Sequence, residues 1–472
     1  MKMNSLKTAA LALAVAGTLS SCSFLRSDYE RTTNVHIPEQ FEQDVQYQSV
    51  IRDAESSWWR DFNDPLLSGL IEYALNNANQ LKIALATLQR YALRADLTDL
   101  NLLPTPNASM SSGRNWDNRH GRISSNSSAS VGISYELDLF GRLKAERDVD
   151  RMAYEASVWD FKAAKLTIAV NIAKLYWQLA YFHDALAFEQ QNLKDYEKIL
   201  EKIKIRYDAG AISRYDYNRT VEQSLSSKNN IITFTDNIQE TMNQLMILLS
   251  VDSMPKDLDV SQITLRDTSI PSINPGIPAD ILENRPDLQA AEYKLKSLLA
   301  SYDVTRLNFF PKITLTGRES TSSDQLLEFF TNPVTAIAGS IALPFLNYST
   351  LSLNRDIAKV DYEKAVLEYE TKVRTALLEV KLLTGELDRS HEKLSNARKR
   401  VELAQQNDRS YDVKYNSGAM SYNDFLNNKL MLRSYILNLL KEVQTQLNYE
   451  AELYNALGGS QKTDNNQQAD GL

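Results

Sequence analysis

Tyr207-Asp-Ala-Gly210-Ala-Ile-Ser213-Arg-Tyr-Asp216 and Tyr415-Asn-Ser-Gly418-Ala-Met-Ser421-Tyr-Asn-Asp424 are two copies of one pattern, 208 positions apart. Gly210 and Gly418 suit the left-handed conformation that closes a helix C-terminus. Ser213 and Ser421 suit the N-cap of a following helix. Asp216 and Asp424, three residues on, complete a capping box. Each copy therefore reads as a tight turn between two antiparallel helices.

The repetition extends outward from the turns. Ile172, Leu179, Leu186, Leu193, Leu200 and Tyr207 recur every seventh residue, as do Val366, Val373, Val380, Leu387, Leu394 and Val401. At the same 208 offset Ile172 meets Val380 and Leu186 meets Leu394. The chain is a tandem duplication of one large unit. A strict seven-residue apolar repeat predicts a coiled-coil seam. The first helical pattern, from Gly141 to Tyr207, would be about 100 Å long at 1.5 Å per residue.

Composition narrows the function classes. The chain has 472 residues, a formal net charge of −8, four His and one Cys. An acidic chain lacks the basic face that nucleic acid requires. No metal-ligand spacing, disulfide framework, phosphate loop or nucleophile–base set is visible, so neither a cofactor nor catalysis is expected. The 15 Gly and 12 Pro are few enough for long uninterrupted helices.

Lys2 and Lys7 precede a short apolar run from Ala9 to Leu19, which reads as a secretory signal over residues 1–21. Leu19-Ser20-Ser21-Cys22 resembles the bacterial lipobox. That resemblance implies cleavage before Cys22 and lipidation of its thiol and amine. Residues 22–57 read as a polar tether. Trp58 and Trp59 open the folded part, where packing or membrane-interface anchoring accounts for them better than a ligand box.

The period then changes. From Ser128 to Leu139, Ala129, Val131, Ile133, Tyr135 and Leu137 alternate with Ser130, Gly132, Ser134 and Glu136, which predicts a strand with one apolar and one polar face. Asn107–Ser112 is a weaker strand, joined to it by a polar loop over 113–127. In the second repeat Lys312–Thr321 and the stretch around Ile337 and Ile341 form the matching pair. The expected partition is one repeat over 58–250, a linker over 251–278, a second repeat over 279–458 and a disordered tail over 459–472.

Strands of about ten residues match a bilayer-spanning barrel. Four strands cannot close one, and an open edge cannot face lipid. Three chains supply twelve strands, enough for a barrel with an open lumen. The predicted fold is mainly α with a β-barrel part: long coiled-coil helices, and a barrel shared by a homotrimer.

Tyr135-Glu-Leu-Asp-Leu-Phe-Gly141-Arg142, Asn284-Arg285-Pro286-Asp287-Leu288 and the two Tyr-x-x-Gly turns resemble the TolC family of outer-membrane efflux proteins. The lipobox and Trp58-Trp59 resemble its lipoprotein branch. The resemblance implies a channel-tunnel with a β-barrel in the outer-membrane lipid and an α-barrel in the periplasm. It also implies two partners, a periplasmic adaptor protein and an inner-membrane efflux transporter that supplies the energy. In that family the periplasmic tip is a gate with an acidic ring, which maps onto Asp424. Asn427 stands where a second Asp is common, and Met420 where an Arg can latch. Tyr415 and Asp216 are further candidates at the tip. A structural reading of Asp216 and Asp424 as caps, and of Tyr207 and Tyr415 as seam packing, stands beside the gating one.

Two alternatives belong to other systems. A protein-secretion tunnel would share the fold, and the lipobox favours small-molecule efflux over it. A periplasmic adaptor would share the long hairpins but not the amphipathic strands. The nine Met are scattered, so no methionine ladder identifies a metal cargo.

Overall fold

The computed structural model describes residues 26–31, 35, 50–51, 57–117, 122–265, 268, 270–271, 283–323, 334–459 and 462–463. Cys22 and the signal segment lie outside them. The chain divides into two compact units, one of residues 1–35, 86–159 and 289–372, the other of 36–85, 160–288 and 373–472.

The elements are α1 (Pro65–Asn77), α2 (Asn79–Leu100), β1 (Thr105–Asp117), β2 (Arg122–Leu137), α3 (Arg142–Asp208), α4 (Arg214–Leu249), α5 (Pro286–Leu307), β3 (Lys312–Ser323), β4 (Val334–Ala342), α6 (Tyr348–Asn416) and α7 (Tyr422–Ala456). Helices α3 and α6 run unbroken for 67 and 69 residues. The order helix, strand, strand, long helix, turn, helix occurs twice, as the duplication requires.

In the first unit the four strands form one antiparallel sheet in the order β1-β2-β3-β4. Strand pairs of both repeats thus share a sheet, with β1 and β4 at its edges. The register aligns Pro106, Ile133, Gly317 and Ile337, and likewise Leu137, Ile313 and Ile341, so the apolar residues line up across all strands on one face. The other face carries Ser109 beside Ser130 and Ser111 beside Ser128, whose hydroxyls bond at 2.9 and 2.8 Å. Val131 and Ile133 are exposed on the apolar face.

The strands are longer than the alternation predicts. The expected loop over 113–127 is mostly strand, with Ser112 paired to Ser127 and Asp117 to Arg122. Main-chain pairing carries the ladder past the apolar band, where a mostly polar sequence holds only the Trp116–Ile123 pair and leaves little period-two signal.

The motif around Gly141 builds the passage from β2 to α3. Asp138 accepts hydrogen bonds from the backbone N–H groups of Leu143 and Lys144, both at 3.0 Å, capping the helix. Gly141 has φ +77°. Arg142 donates to Glu136 at 2.6 Å and also pairs with Glu146, and Phe140 stacks on Phe310. A strap of residues 26–31 binds the same unit: Arg26 pairs with Asp148, Ser27 donates twice to Asp303, and Arg31 pairs with buried Glu292.

The second unit is helical. Trp58, 1% exposed, stacks on Tyr454, and Phe62 packs against Trp177, so these aromatics are core. The Asn284-Arg285-Pro286-Asp287 motif is a brace. Arg285 donates to Asp287, to Glu379 at 2.7 Å and to the Ala456 carbonyl. The expected linker is ordered where it is described: Val260, Ile263 and Leu265 are buried, and Asp184 accepts from Thr264 and from the Leu265 backbone. The expected disordered tail holds one short strand, Lys462–Thr463, paired with Val50–Ile51.

The second seam is buried at Val373, Val380, Leu387, Leu394 and Val401. The first holds at Ile172 and Leu179, then moves three residues, so that Glu189, Tyr196 and Ile203 are buried in place of Leu186, Leu193 and Leu200. A helix drifts against a strict seven-residue repeat, which permits such a change of row. Glu189 can occupy it because Arg433 pairs with it at 2.8 Å and Ser227 donates to it at 2.6 Å.

Candidate functional site

The two turns meet at one end of the helical unit. Each has the same hydrogen bonds. Gly210 N–H donates to the Tyr207 carbonyl and Ala211 N–H to that of Arg206; Gly418 and Ala419 donate likewise to Tyr415 and Lys414. This six-to-one and five-to-two pair is the Schellman closure, with φ +70° at Gly210 and +77° at Gly418. Ser213 and Ser421 then cap α4 and α7, accepting from the backbone N–H groups of Asp216 and Asp424 at 3.2 and 3.1 Å. The two carboxylates accept the serine hydroxyls, at 2.7 and 2.6 Å. Each Asp is thereby fixed in direction.

Beneath the turns lies a shared apolar cluster. Tyr196 and Ile203 of α3 pack with Tyr422, Phe425 and Leu426 of α7, and Ile212, Tyr217, Tyr415 and Met420 close around them. Tyr415 stacks on Phe425 at 4.4 Å, and Tyr207 on Tyr217 at 5.0 Å. Burial pushes the Tyr422 hydroxyl up to about 12, against the opposing effect of its bond to Thr220. Met420 packs on this cluster as an apolar residue.

Polar links then tie the repeats together. Arg219 of α4 donates to Asn427 at 2.6 Å and to Asn423 at 3.0 Å. Arg206 of α3 donates to the Tyr415 hydroxyl at 3.3 Å. Thr220 and Tyr422 share a hydrogen bond of 2.5 Å. A further network is confined to the second repeat. Lys429 of α7 donates to Asp408 at 2.8 Å and to Asp412 at 3.2 Å. Burial works to lower its pKa, but the two carboxylates outweigh that and raise it. The equivalent residues 208 positions earlier, Leu200, Lys204 and Val221, cannot form it.

Of the residues singled out from sequence, Tyr415, Asn427, Gly210, Gly418, Ser213 and Ser421 come together here. The carboxylates of Asp216 and Asp424 each engage only their own serine among the described residues, and Asp424 is exposed. Arg206, Arg219 and Thr220 escaped sequence reading. The repeat offset held the signal, because it pairs Arg219 with Asn427.

Residues 70–250 and 277–459 each match the family model described as outer membrane efflux protein. The chain is similar to toxin and drug export protein A of Aggregatibacter actinomycetemcomitans, 26% identical over 97% of this chain and 99% of that one. It is similar to the toluene efflux pump outer membrane protein TtgF of Pseudomonas putida, 28% identical over 96% and 97%. Among solved structures it resembles the open state of the Neisseria gonorrhoeae MtrE outer membrane channel. The TM-score is 0.84 at 28% identity, covering 92% of this chain and 97% of that one.

Proposed function

We propose that this chain, which belongs to the outer membrane efflux protein family, is the passive outer-membrane exit duct of a tripartite efflux pump. Three copies form the duct. A periplasmic adaptor and an inner-membrane transporter feed it with small molecules and supply the energy.

The sheet carries the reading. One face gathers the apolar residues, broken by Glu319 beside Val131, and the other carries a ladder of serines, the division a barrel between lipid and a water-filled lumen calls for. Its two edge strands call for neighbours, and three copies satisfy them. Leu353, Val360 and Leu367, seven residues apart on α6, are 65%, 60% and 64% exposed in one chain. Such a stripe fits burial against another copy. Asp424, held in an exposed position by Ser421, supports a place for it at the pore's periplasmic tip, and the Arg219–Asn427 and Arg206–Tyr415 links support latching roles there. Lipidation at Cys22 anchors the chain to the outer membrane in this reading.

Deleting the protein is expected to sensitise cells to drugs, solvents or bile salts, with rescue by the intact gene. The purified protein is expected to have the mass of three chains and to conduct ions in planar bilayers. Mass spectrometry of its mature N-terminus should find acylated Cys22. A non-conducting monomer that retains its β-sheet signal would overturn the duct.

A further inference from the structure

A cleft of about 480 Å³ opens in the sheet-bearing unit between the end of α5 and the start of α6. Tyr302, Arg306, Phe309, Tyr348, Arg355 and Lys359 line it, with one acid, Asp356. Three cations against one carboxylate leave the lining at a net charge of +2. Phe309 lies three residues before β3 and Tyr348 six after β4, so the cleft sits where two strands become helices. The N-terminus of the 69-residue α6, at Tyr348, adds its partial positive charge.

The guanidinium groups are only partly used by the protein. Arg306 spends Nη1 on Ser27 and Asp303. Arg355 spends Nε and Nη2 on Asp356 and Ser352. Nη2 of Arg306 and Nη1 of Arg355 meet no acceptor among the described residues. Rings hold both groups in place: Arg306 lies 5.7 Å from the Tyr302 ring centre, and Arg355 5.9 Å from that of Phe309. Lys359 is exposed, 3.6 Å from Glu363.

We infer that this cleft binds a phosphate group, and that its source is the headgroup of an anionic phospholipid. Planar guanidinium forks match phosphate oxygens. Aromatic walls suit the glycerol and upper acyl carbons, as aromatic side chains do at membrane interfaces. The choice of lipid over free phosphate rests on the duct reading, which puts the bases of the strands at the headgroups of the periplasmic leaflet.

The test is native mass spectrometry of the detergent-solubilised full-length protein with added phosphatidylglycerol or phosphatidylcholine. The wild type should carry phosphatidylglycerol adducts in preference. Arg355→Gln with Lys359→Gln should reduce them about tenfold or more, since each basic residue near a lipid surface contributes about 1 kcal/mol. Lys364→Gln, exposed on the same helix outside the cleft, should not. Excess inorganic phosphate separates the sources. If it raises the melting temperature of the wild type but not of the double variant, and no lipid adduct depends on the pair, the site takes the free anion and the lipid assignment fails. Equal adducts in wild type and double variant, with no phosphate-dependent difference between their melting temperatures, overturn the site itself. Fractionating the same cells checks the duct reading independently, because wild-type protein missing from the outer membrane contradicts that reading whatever the adducts show.

Discussion

Arg219 and Asn427 occupy the same position in the two repeats, and they are bonded to each other at 2.6 Å. The 208-residue offset relates them, so the fold brings equivalent positions of the two repeats into direct contact at the tip. One repeat supplies the donor and the other the acceptor at this position.

Removing this link should loosen the tip without unfolding the chain. Arg219→Ala deletes two exposed or part-buried hydrogen bonds, so its stability cost should stay near or below about 1 kcal/mol. Single-channel conductance in planar bilayers should rise. Asn427→Asp should turn the bond into an ion pair and lower conductance relative to wild type. Identical conductance in all three proteins would remove Arg219 and Asn427 from any latch.

Asp424 separates gating from capping. Asp424→Ala should change conductance and cation selectivity if three copies ring the pore, since like charges in a narrow ring attract cations. Asp216→Ala, with the same serine contact in the other repeat, should leave selectivity unchanged. A pure cap predicts roughly 1 kcal/mol of lost stability at either site and no effect on selectivity. Recordings and thermal melts of both variants decide between them.

The sheet faces make the third prediction. Ile133→Arg puts a charge on the face shared with Pro106 and Ile337, and should impair membrane insertion at a cost of about 2–4 kcal/mol per copy at mid-bilayer. Ser134→Arg, beside Thr105 and Thr316 on the opposite face, should assemble and alter conductance. Normal assembly of Ile133→Arg with failure of Ser134→Arg would reverse the faces.

Glu450 of α7 supplies a pH dependence. It is fully buried, neither carboxyl oxygen has a hydrogen-bond partner among the described residues, and burial raises its pKa to about 8. The folded chain therefore holds a proton that the unfolded chain gives up near 4.5. The associated stability is complete below that lower value and is lost as pH rises towards 8, by up to about 5 kcal/mol. Glu450→Gln should flatten this fall, so its advantage over wild type should grow between the two values. Melting curves that stay parallel across that range would show that Glu450 does not titrate as its burial requires.

Sequence by itself determined the repeat, the turns, the long helices and the faces of the strands. Those depend on local periods and on the conformational preferences of Gly, Ser and Asp, all written along the chain. Ser213 and Ser421 cap and Gly210 and Gly418 close their helices for reasons contained within ten residues. The tertiary structure decided what periodicity cannot carry. It moved the first seam from the Leu186 row to Glu189 because Arg433, far along the chain, could pair with that carboxylate. It extended β1 and β2 through mostly polar residues, because main-chain hydrogen bonds need no apolar pattern. It joined Arg219 to Asn427 because a hydrogen bond between repeats depends on how two helices approach, and only the folded chain sets that distance.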